Sequence, residues 1–397
     1  MITVDEAARL VLLNTRNWGN ESIPLSEAKG RVITEALMAD RPMPPFDRVT
    51  MDGIAIHWPS FDKGQKIFPV AGIAQAGSPQ QVLEDMSSCL EVMTGAVLPK
   101  GVDTVIRYED VQIDDDKASI QISSLTQGQN IHRMGSDRAA SDHLLVPPRI
   151  VSSAEVNVAA TVGKSELQVA RLPNTVVIST GDELVPIEAI PQPHQIRRSN
   201  LFMVRTALQS YGINADLEHL VDDETEIKDK LKGILKKYDL IILSGGVSAG
   251  KFDFIPKILT ELGVVCHFHK VAQRPGKPIW FGSIHDGPVV FGLPGNPVSS
   301  LVGYCRYIQF WLDRSFGLKR EQRYCRLKED IHFKKQLTYF AQVKLVHEHS
   351  EITAIPVLGK GSGDLANLLD ADGFVELPLG KDIFNSGETY PFYPYRI

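Results

Sequence analysis

The chain has 397 residues, of which 43% are apolar and 23% charged, and its formal net charge is −6. This length and composition predict a globular protein of two to four domains. The net negative charge argues against a general nucleic-acid-binding protein, because such proteins need a basic face that neutralises phosphates.

The cysteines and the apolar runs bear on where the protein works. None of the four cysteines has a partner at a paired spacing, so we expect neither a disulfide framework nor a zinc site, and a reducing cytoplasm fits. The N-terminus lacks the basic and long apolar regions of a signal peptide, and no apolar run approaches transmembrane length. We therefore predict a cytoplasmic protein without a membrane partner.

The chain begins with two segments of helical pattern. Thr3 and Glu6 have the spacing of a capping box, and the pattern that follows predicts a helix to about Asn14. A second short helix is predicted over residues 27–37. Three prolines within residues 41–47 cannot continue it, because proline lacks the backbone N–H.

The next part of the chain alternates as β-strands do. Residues 50–125 show this alternation with intervening turn signals, and a helical pattern returns around residues 153–162. The second helical pattern suggests that the β-rich part is an insertion. We predict an N-terminal helical linker domain of residues 1–43 and 140–171, with a β-rich domain of residues 44–139 inserted into it.

From residue 172 strand and helix patterns alternate, which predicts a multidomain α/β protein with a doubly wound, mostly parallel sheet over residues 172–318. Within it, residues 279–293 resemble a β-hairpin that turns at Asp286 and Gly287. Short strands and turns over residues 323–397 predict a separate C-terminal β-barrel or sandwich.

Two loops in this region are typical of sites for anionic groups. The strand 240–244 is followed by the glycine-rich residues 245–250, and the strand 288–292 by residues 293–299, of sequence LPGNPVS. Ligands of open α/β sheets bind at the carboxyl ends of strands, and glycine lets backbone N–H groups approach a ligand. Pro297 suits the first position of a helix, Asn296 can cap that helix, and the Ser299 hydroxyl can then reach an anion.

A basic turn and several carboxylates could complete the site. Arg274 and Lys277 lie on a turn fixed by prolines, and cations on a rigid turn suit an oxyanion. Glu183, Asp222 and Asp253 follow strands or the glycine loop and are candidate ligands of a divalent cation. Each carboxylate also has a local explanation, as a turn residue or a helix N-cap.

Six motifs occur together in order: PPFDRVTMDG, MTGAVLPKGVDTVI, STGDEL, SGGVSAGKFD, RPGKP and GLPGNPVS. Their combination resembles the MoeA family, the molybdopterin molybdenumtransferases, and the homologous E domain of gephyrin. The doubly wound part by itself also resembles MogA-type adenylyltransferases and CinA-like proteins. The N-terminal half and the C-terminal β part favour MoeA.

The resemblance implies an enzyme that uses molybdate and molybdopterin adenylate as substrates. With a divalent cation, usually Mg²⁺, such an enzyme places molybdenum on the dithiolene and releases AMP. The resemblance also implies a homodimer whose site lies at the subunit interface, with a MogA-type adenylyltransferase as a candidate further partner.

The resemblance implies roles for specific residues as well. The positions that match catalytic residues of the family are Asp52, Thr94, Asp137, Glu183, Asp222 and Asp253, of which Glu183, Asp222 and Asp253 are the metal ligands. The positions that match the molybdate and pterin pocket are Gly245, Gly246, Ser248, Lys270, Arg274, Lys277, Pro294, Pro297, Ser299 and Ser362.

The chain departs from the family pattern at three places. Residues 48–50 read RVT where the family usually has NSA, and Arg198 stands where it usually has Asp. Gln342 aligns with an arginine of the C-terminal domain, and Lys344, on the same strand face, is a candidate to replace its charge. Two alternative functions stay open at this point: an adenylyltransferase, and a non-catalytic scaffold such as gephyrin.

Overall fold

The structure is a computed structural model that describes residues 1–247, 254–348, 351–357, 359 and 361–396. The chain forms two compact units: the larger is Met1–Thr34, Pro148–Ser152 and Glu166–Ile397, and the smaller is Glu35–Pro147 and Ser153–Ser165. The four-domain division predicted from the sequence is finer than these two units and stays a prediction.

The larger unit is built around a six-stranded sheet. Its strands lie in the order Asp216–Leu220, Thr175–Thr180, Leu240–Ser244, Val289–Leu293, Trp280–Ser283 and Val265–His269. The first four run parallel, and Trp280–Ser283 runs antiparallel to both of its neighbours. The mostly parallel sheet and the hairpin over residues 279–293 are thereby confirmed.

Both faces of this sheet are buried. Along one strand Val176 and Ile178 belong to one apolar core, and Val177 between them belongs to the other. The helices Glu224–Lys237 and Ile255–Glu261 pack on the first face. The helix Ser199–Gln209 packs on the second face. A continuous helical segment packs beside it and consists of Pro297–Gly303, the wider π-helical turn Tyr304–Ile308, and Gln309–Ser315. The sheet is therefore doubly wound, and the carboxyl ends of its parallel strands lie together at one end of the sheet.

The C-terminal part is a closed β-barrel. Its strands form the ring Thr338–Glu348, Glu351–Pro356, Arg323–Leu327, Thr389–Pro394 and Gly373–Leu377, which returns to Thr338–Glu348. The strand Gln273–Arg274 pairs in parallel with Thr338 and Tyr339 and so joins the barrel to the basic turn. A strand pair, Ile331–His332 with Ile383–Phe384, and a short helix, Asn367–Asp370, complete this part.

The N-terminal segment corrects one prediction. The helix Val4–Leu12 forms, with the Thr3 Oγ1 accepting a hydrogen bond from the Glu6 N–H at 3.2 Å. The helix predicted over residues 27–37 is wrong, since Gly30 has φ +82° and the segment holds a 3₁₀ turn and two short strands. These elements are Leu25–Glu27, Val32–Ile33 and Leu37–Met38. Pairing with other strands outweighed the local helical pattern.

The strand Val32–Ile33 belongs to a four-stranded antiparallel sheet of the larger unit. The order is Asn20–Pro24, Glu166–Ala170, Val32–Ile33 and Arg149–Ile150. The larger unit also contains a two-stranded parallel pair, Leu184–Val185 with Ile196–Arg197.

The smaller unit contains the β-rich part that the sequence predicted. Its six-stranded sheet has the order Thr104–Arg107, Gly53–Ile56, Cys89–Val92, Ile67–Ala74, Lys117–Ile120 and Val111–Asp114. Two short pairs lie outside this sheet: Ile131–His132 with Arg48–Val49, and His143–Leu145 with Leu37–Met38. Its helical elements are Trp58–Asp62, the 3₁₀ turn Tyr108–Asp110 and Ser153–Thr161.

Across the described residues, we find no helix that is both long and apolar enough to cross a membrane.

Candidate active site

A cavity of about 900 Å³ lies at the carboxyl ends of the parallel strands of the central sheet. It is bounded by the carboxyl ends of three neighbouring strands, at Thr180, Ser244 and the segment after Leu293. The sequence-predicted residues that line it are Glu183, Asp222, Gly245, Gly246, Pro294 and Pro297. The two strand-end loops predicted to form one site therefore do border one cavity.

The glycines of the first loop are required by close approach. Gly245 and Gly246 have φ +98° and +67°. A Cβ at Gly246 would lie 2.7 Å from both the Thr180 Oγ1 and the Ile255 Cδ1. A larger residue would strain the backbone and collide with its neighbours, so glycine is needed at Gly246. Ser248, the third predicted residue of this loop, lies outside the described residues.

The acidic side of the cavity is formed by Glu183 and Asp222. The backbone N–H of Asp222 donates to the Asp182 Oδ1 at 3.1 Å, which joins the loops that follow two adjacent strands. Carboxylate oxygens are the ligands that Mg²⁺ prefers. Asp253, the third predicted ligand, lies outside the described residues, and among those described no group of three His, Cys, Asp or Glu side chains could hold a metal ion.

Two arginines bring positive charge to the same cavity. Arg197 and Arg198 both line it. The Arg198 Nε donates to the Leu184 carbonyl at 3.1 Å. Burial, and next the charge of Arg198, lower the pKa of His219, whose Nδ1 lies 2.9 Å from the Ser179 hydroxyl. The cavity thus presents two carboxylates and two guanidinium groups to a ligand.

Asn200 holds two of the loops together. Its side-chain nitrogen donates to the Ser244 hydroxyl at 3.0 Å and to the Gly295 carbonyl at 2.7 Å. The sequence predicted no role for Asn200 or Arg197. The available signal was that both residues follow strand Thr175–Thr180 in the chain, and ligands of such sheets bind near the segments that follow the strands.

A second cavity, of about 470 Å³, lies between the edge of the sheet and the barrel. The predicted residues that line it are Arg274, Lys277, Pro294, Ser299 and Ser362. Gln273, which is fully buried, stabilises the basic turn, because its Nε2 donates to the Pro275 carbonyl at 3.0 Å. Two cations on a fixed turn, with two serine hydroxyls from other segments of the lining, suit a small oxyanion.

Asn296 departs from its expected role. Pro297 does occupy the first position of a helix, but the Asn296 side chain makes no capping hydrogen bond. Its nitrogen donates instead to the Ser362 hydroxyl at 2.9 Å. The capping prediction is therefore wrong at the side chain, because a partner from the C-terminal part competes for the amide.

Gln342 and its proposed substitute Lys344 differ in where they lie relative to the second cavity. Gln342 lines the second cavity, whereas Lys344 is exposed and is not among the described residues that line it. Two residues along a strand correspond to about 7 Å, which carries Lys344 beyond the cavity. Lys335, for which the sequence predicted no role, lines the cavity instead. Lys270 lines neither cavity among the described residues.

Three predicted residues lie in the smaller unit. The backbone N–H and the hydroxyl of Thr94 donate to the Asp52 Oδ1 at 2.6 and 2.8 Å, and they lower the pKa of Asp52. The Asp137 Oδ1 lies 2.8 Å from the His132 Nε2, and the His132 Nδ1 lies 3.1 Å from the Arg48 Nη2. Asp52 and Thr94 therefore form one contact, and Asp137 forms a separate one.

Comparisons with known proteins cover the chain almost end to end. The "MoeA N-terminal region (domain I and II)" matches residues 2–163, the "Probable molybdopterin binding domain" residues 176–314, and the "MoeA C-terminal region (domain IV)" residues 324–395. A molybdopterin molybdenumtransferase of Synechocystis is 40% identical over 100% of both chains. This chain belongs to the MoeA family.

Other MoeA relatives agree with this assignment. A molybdopterin molybdenumtransferase of Haemophilus influenzae is 31% identical over 100% of this chain and 99% of its own. A crystal structure of a molybdopterin biosynthesis MoeA protein from Pyrococcus horikosii is 27% identical, covers 100% of both chains and has a TM-score of 0.83. The resemblance read from the six motifs is confirmed, and so is the multidomain α/β fold predicted from the strand and helix patterns.

Proposed function

We propose that this protein is a molybdopterin molybdenumtransferase that inserts molybdenum from molybdate into molybdopterin adenylate, with Mg²⁺-dependent release of AMP. Its relatives carry the name of this activity over the full length of the chain. The substrates, the metal and the residue roles are part of the proposal.

The observation that carries the proposal is the adjacency of two cavities with different chemistry. Pro278, Pro294 and Asn296 line both of them. The larger cavity has glycine loops, carboxylates and arginines, which suit a phosphate-bearing ligand and a cation. The smaller cavity has described cations and no described carboxylate, which suits a free oxyanion. A reaction that joins an oxyanion to a nucleotide-linked substrate needs this arrangement.

The residues of the larger cavity would bind and orient the adenylate. The loop at Gly245 and Gly246 lets the ligand approach the backbone, and Arg197 and Arg198 supply positive charge for its phosphates. Glu183 and Asp222 would hold Mg²⁺, with Asp253 as the third predicted ligand. Bound Mg²⁺ would neutralise phosphate charge and polarise phosphorus.

The smaller cavity would hold molybdate against the adenylate. Lys277 and Arg274 would bind the anion, and the hydroxyls of Ser299 and Ser362 would donate hydrogen bonds to its oxygens. Cleavage of the phosphoanhydride then requires positioning and electrostatic stabilisation more than a protein nucleophile. Lys270 remains a proposed pocket residue on the family pattern alone.

Asp52, Thr94 and Asp137 are proposed to act across a homodimer, each completing the site of the partner chain. This follows the family pattern and requires a stable dimer. Analytical ultracentrifugation at micromolar concentration should show a dimer, and a monomer alone would contradict a shared site. We also propose a cytoplasmic location and a supply of adenylate from a MogA-type adenylyltransferase.

A defined assay tests the function. Purified protein with molybdopterin adenylate, molybdate and Mg²⁺ should release AMP and form the molybdenum cofactor. Protein with ATP and unmodified molybdopterin should form no adenylate. Adenylate formation in the second reaction would support an adenylyltransferase instead. Inactivity in both reactions, with substrates that a known relative converts, would support a scaffold role.

A further inference from the structure

The second cavity carries positive charge that no described residue neutralises. Arg274, Lys277 and Lys335 line it, and none of the three forms an ion pair with another described residue. No Asp or Glu is among its described lining residues. Three like charges around one cavity repel each other, and a bound anion relieves that repulsion.

The barrel strand contributes no charge to this cavity at position 342, because the residue there is the neutral amide Gln342. Gln342 and Asn367 are each 9% exposed. The Asn367 Nδ2 donates to the Gln342 Oε1 at 2.9 Å and to the Val357 carbonyl at 3.3 Å. Since a backbone carbonyl can only accept, the Asn367 nitrogen must face both oxygens, and this fixes the orientation of the Gln342 amide.

The packing around this pair is tight. A Cβ at Gly359 would lie 2.8 Å from the Asn367 Nδ2, so there is little room for the amides to turn. The Gln342 Nε2 is buried and makes no hydrogen bond to the described residues. Burial raises the pKa of Tyr395, and the nearby Gln342 amide offsets part of that rise. The buried wall thus offers at most a neutral donor.

Lys335 is placed at the cavity by the strand that follows it. That strand, Thr338–Glu348, pairs with the basic turn through Gln273 with Thr338 and Arg274 with Tyr339. The Thr338 N–H also donates to the Ala272 carbonyl at 2.9 Å. The segment that carries Lys335 is therefore joined to the segment that carries Arg274.

We propose that Lys335 is an oxyanion-binding residue of the second cavity and supplies the positive charge that the neutral Gln342 position does not. The inference rests on the proposed function, in which molybdate occupies this cavity. Because the Lys335 side chain is exposed, its contribution should be screened by salt more than that of a buried group.

Lys334 provides a matched control. It is the neighbouring lysine, is also exposed, and does not line the cavity. Lys335→Ala and Lys334→Ala remove the same charge from adjacent positions. A general effect of net charge would appear in both variants, and a specific contact only in the first.

The test is a calorimetric titration of the full-length protein with molybdate, without Mg²⁺ and in the presence and absence of molybdopterin adenylate. Lys335→Ala should weaken molybdate binding about three- to tenfold at low ionic strength and less in high salt. Lys334→Ala should match the wild type. Equal affinities of Lys335→Ala and wild type, with Lys277→Ala weakened, would overturn this inference alone. If neither Lys335→Ala nor Lys277→Ala alters binding, the proposed location of molybdate is wrong as well.

Discussion

The Asn296 side chain donates a hydrogen bond of 2.9 Å to the hydroxyl of Ser362, and this contact joins the central sheet to the C-terminal part of the chain. A second bond runs from the Val298 N–H to the Ser362 carbonyl at 3.3 Å. Since Asn296 lines both cavities, the contact lies at the boundary between the proposed adenylate and molybdate sites.

Removing this contact should weaken molybdate binding. Asn296→Ala should lower the affinity roughly fivefold, since a hydrogen bond contributes about 1 kcal/mol, and Ser362→Ala should lower it further, since it also removes the proposed hydroxyl donor to molybdate. The double variant should be little worse than Ser362→Ala, because that change already removes the bond to Asn296. Calorimetric titration of the three variants measures this coupling. Fully additive losses would show that the two residues act independently.

The carboxylates of the larger cavity should be needed for turnover and not for folding. Glu183→Gln and Asp222→Asn remove exposed negative charges, so the melting temperature should stay near that of the wild type. AMP release should fall about a hundredfold or more at limiting Mg²⁺. Glu188→Gln, a change at an exposed residue outside the cavity, is the control. Full activity of both Glu183→Gln and Asp222→Asn would remove the proposed metal site.

Gly246 should tolerate no side chain. Gly246→Ala places a methyl group 2.7 Å from two atoms at a φ of +67°, whereas Gly263→Ala, at a φ of +90°, meets nothing within 4 Å. Both variants pay the backbone cost of about 1–2 kcal/mol. Only Gly246→Ala should add a steric cost and lose AMP release. Similar melting temperatures and activities in the two variants would contradict the close approach at Gly246.

The contact between Thr94 and Asp52 should be visible as a pKa shift. The Thr94 backbone N–H, and then its hydroxyl, lower the pKa of Asp52. Thr94→Val keeps the first donor and loses the second, so the pKa should rise part of the way to its ordinary value. A carbonyl-carbon NMR titration measures it, and an unchanged pKa would exclude the hydroxyl contact.

The sign of the effect on stability follows from the same shift. Because the pKa of Asp52 is lower in the folded chain, the contact stabilises the fold above the unfolded pKa of about 3.9. That contribution is lost as the pH falls through the lower folded value. Thr94→Val should therefore lower the free energy of unfolding at neutral pH. As the pH falls through the pKa of Asp52, the variant should lose less of that free energy than the wild type does.

The sequence could predict the elements whose signal is local. Strand Leu240–Ser244 is a continuous apolar run, and helix Ser199–Gln209 buries Leu201, Val204 and Leu208 at helical spacing. The loops at the strand ends then follow from the rule that parallel strands present their carboxyl ends together.

The remaining features depend on pairing between distant segments. Gly30 interrupts a helical pattern that strand pairing then overrides. Asn296 has the sequence of a cap, and only the position of Ser362 shows where its amide goes. Lys335 reaches the basic turn through the pairing of Arg274 with Tyr339, a register that no local pattern encodes.

The assignment of molybdate to the second cavity is tested most directly by Lys277→Ala. Lys277 lines that cavity and not the larger one, so its loss should weaken molybdate saturation while adenylate binding stays near that of the wild type. One charge-assisted contact corresponds to roughly 1.5–3 kcal/mol, or about ten- to a hundredfold in the apparent molybdate constant. Lys277→Arg should recover only part of this loss, because a planar guanidinium does not replace a point charge. Molybdate titration at fixed adenylate gives the answer. An unchanged molybdate constant with weakened adenylate binding would show that the basic turn serves the nucleotide phosphate instead.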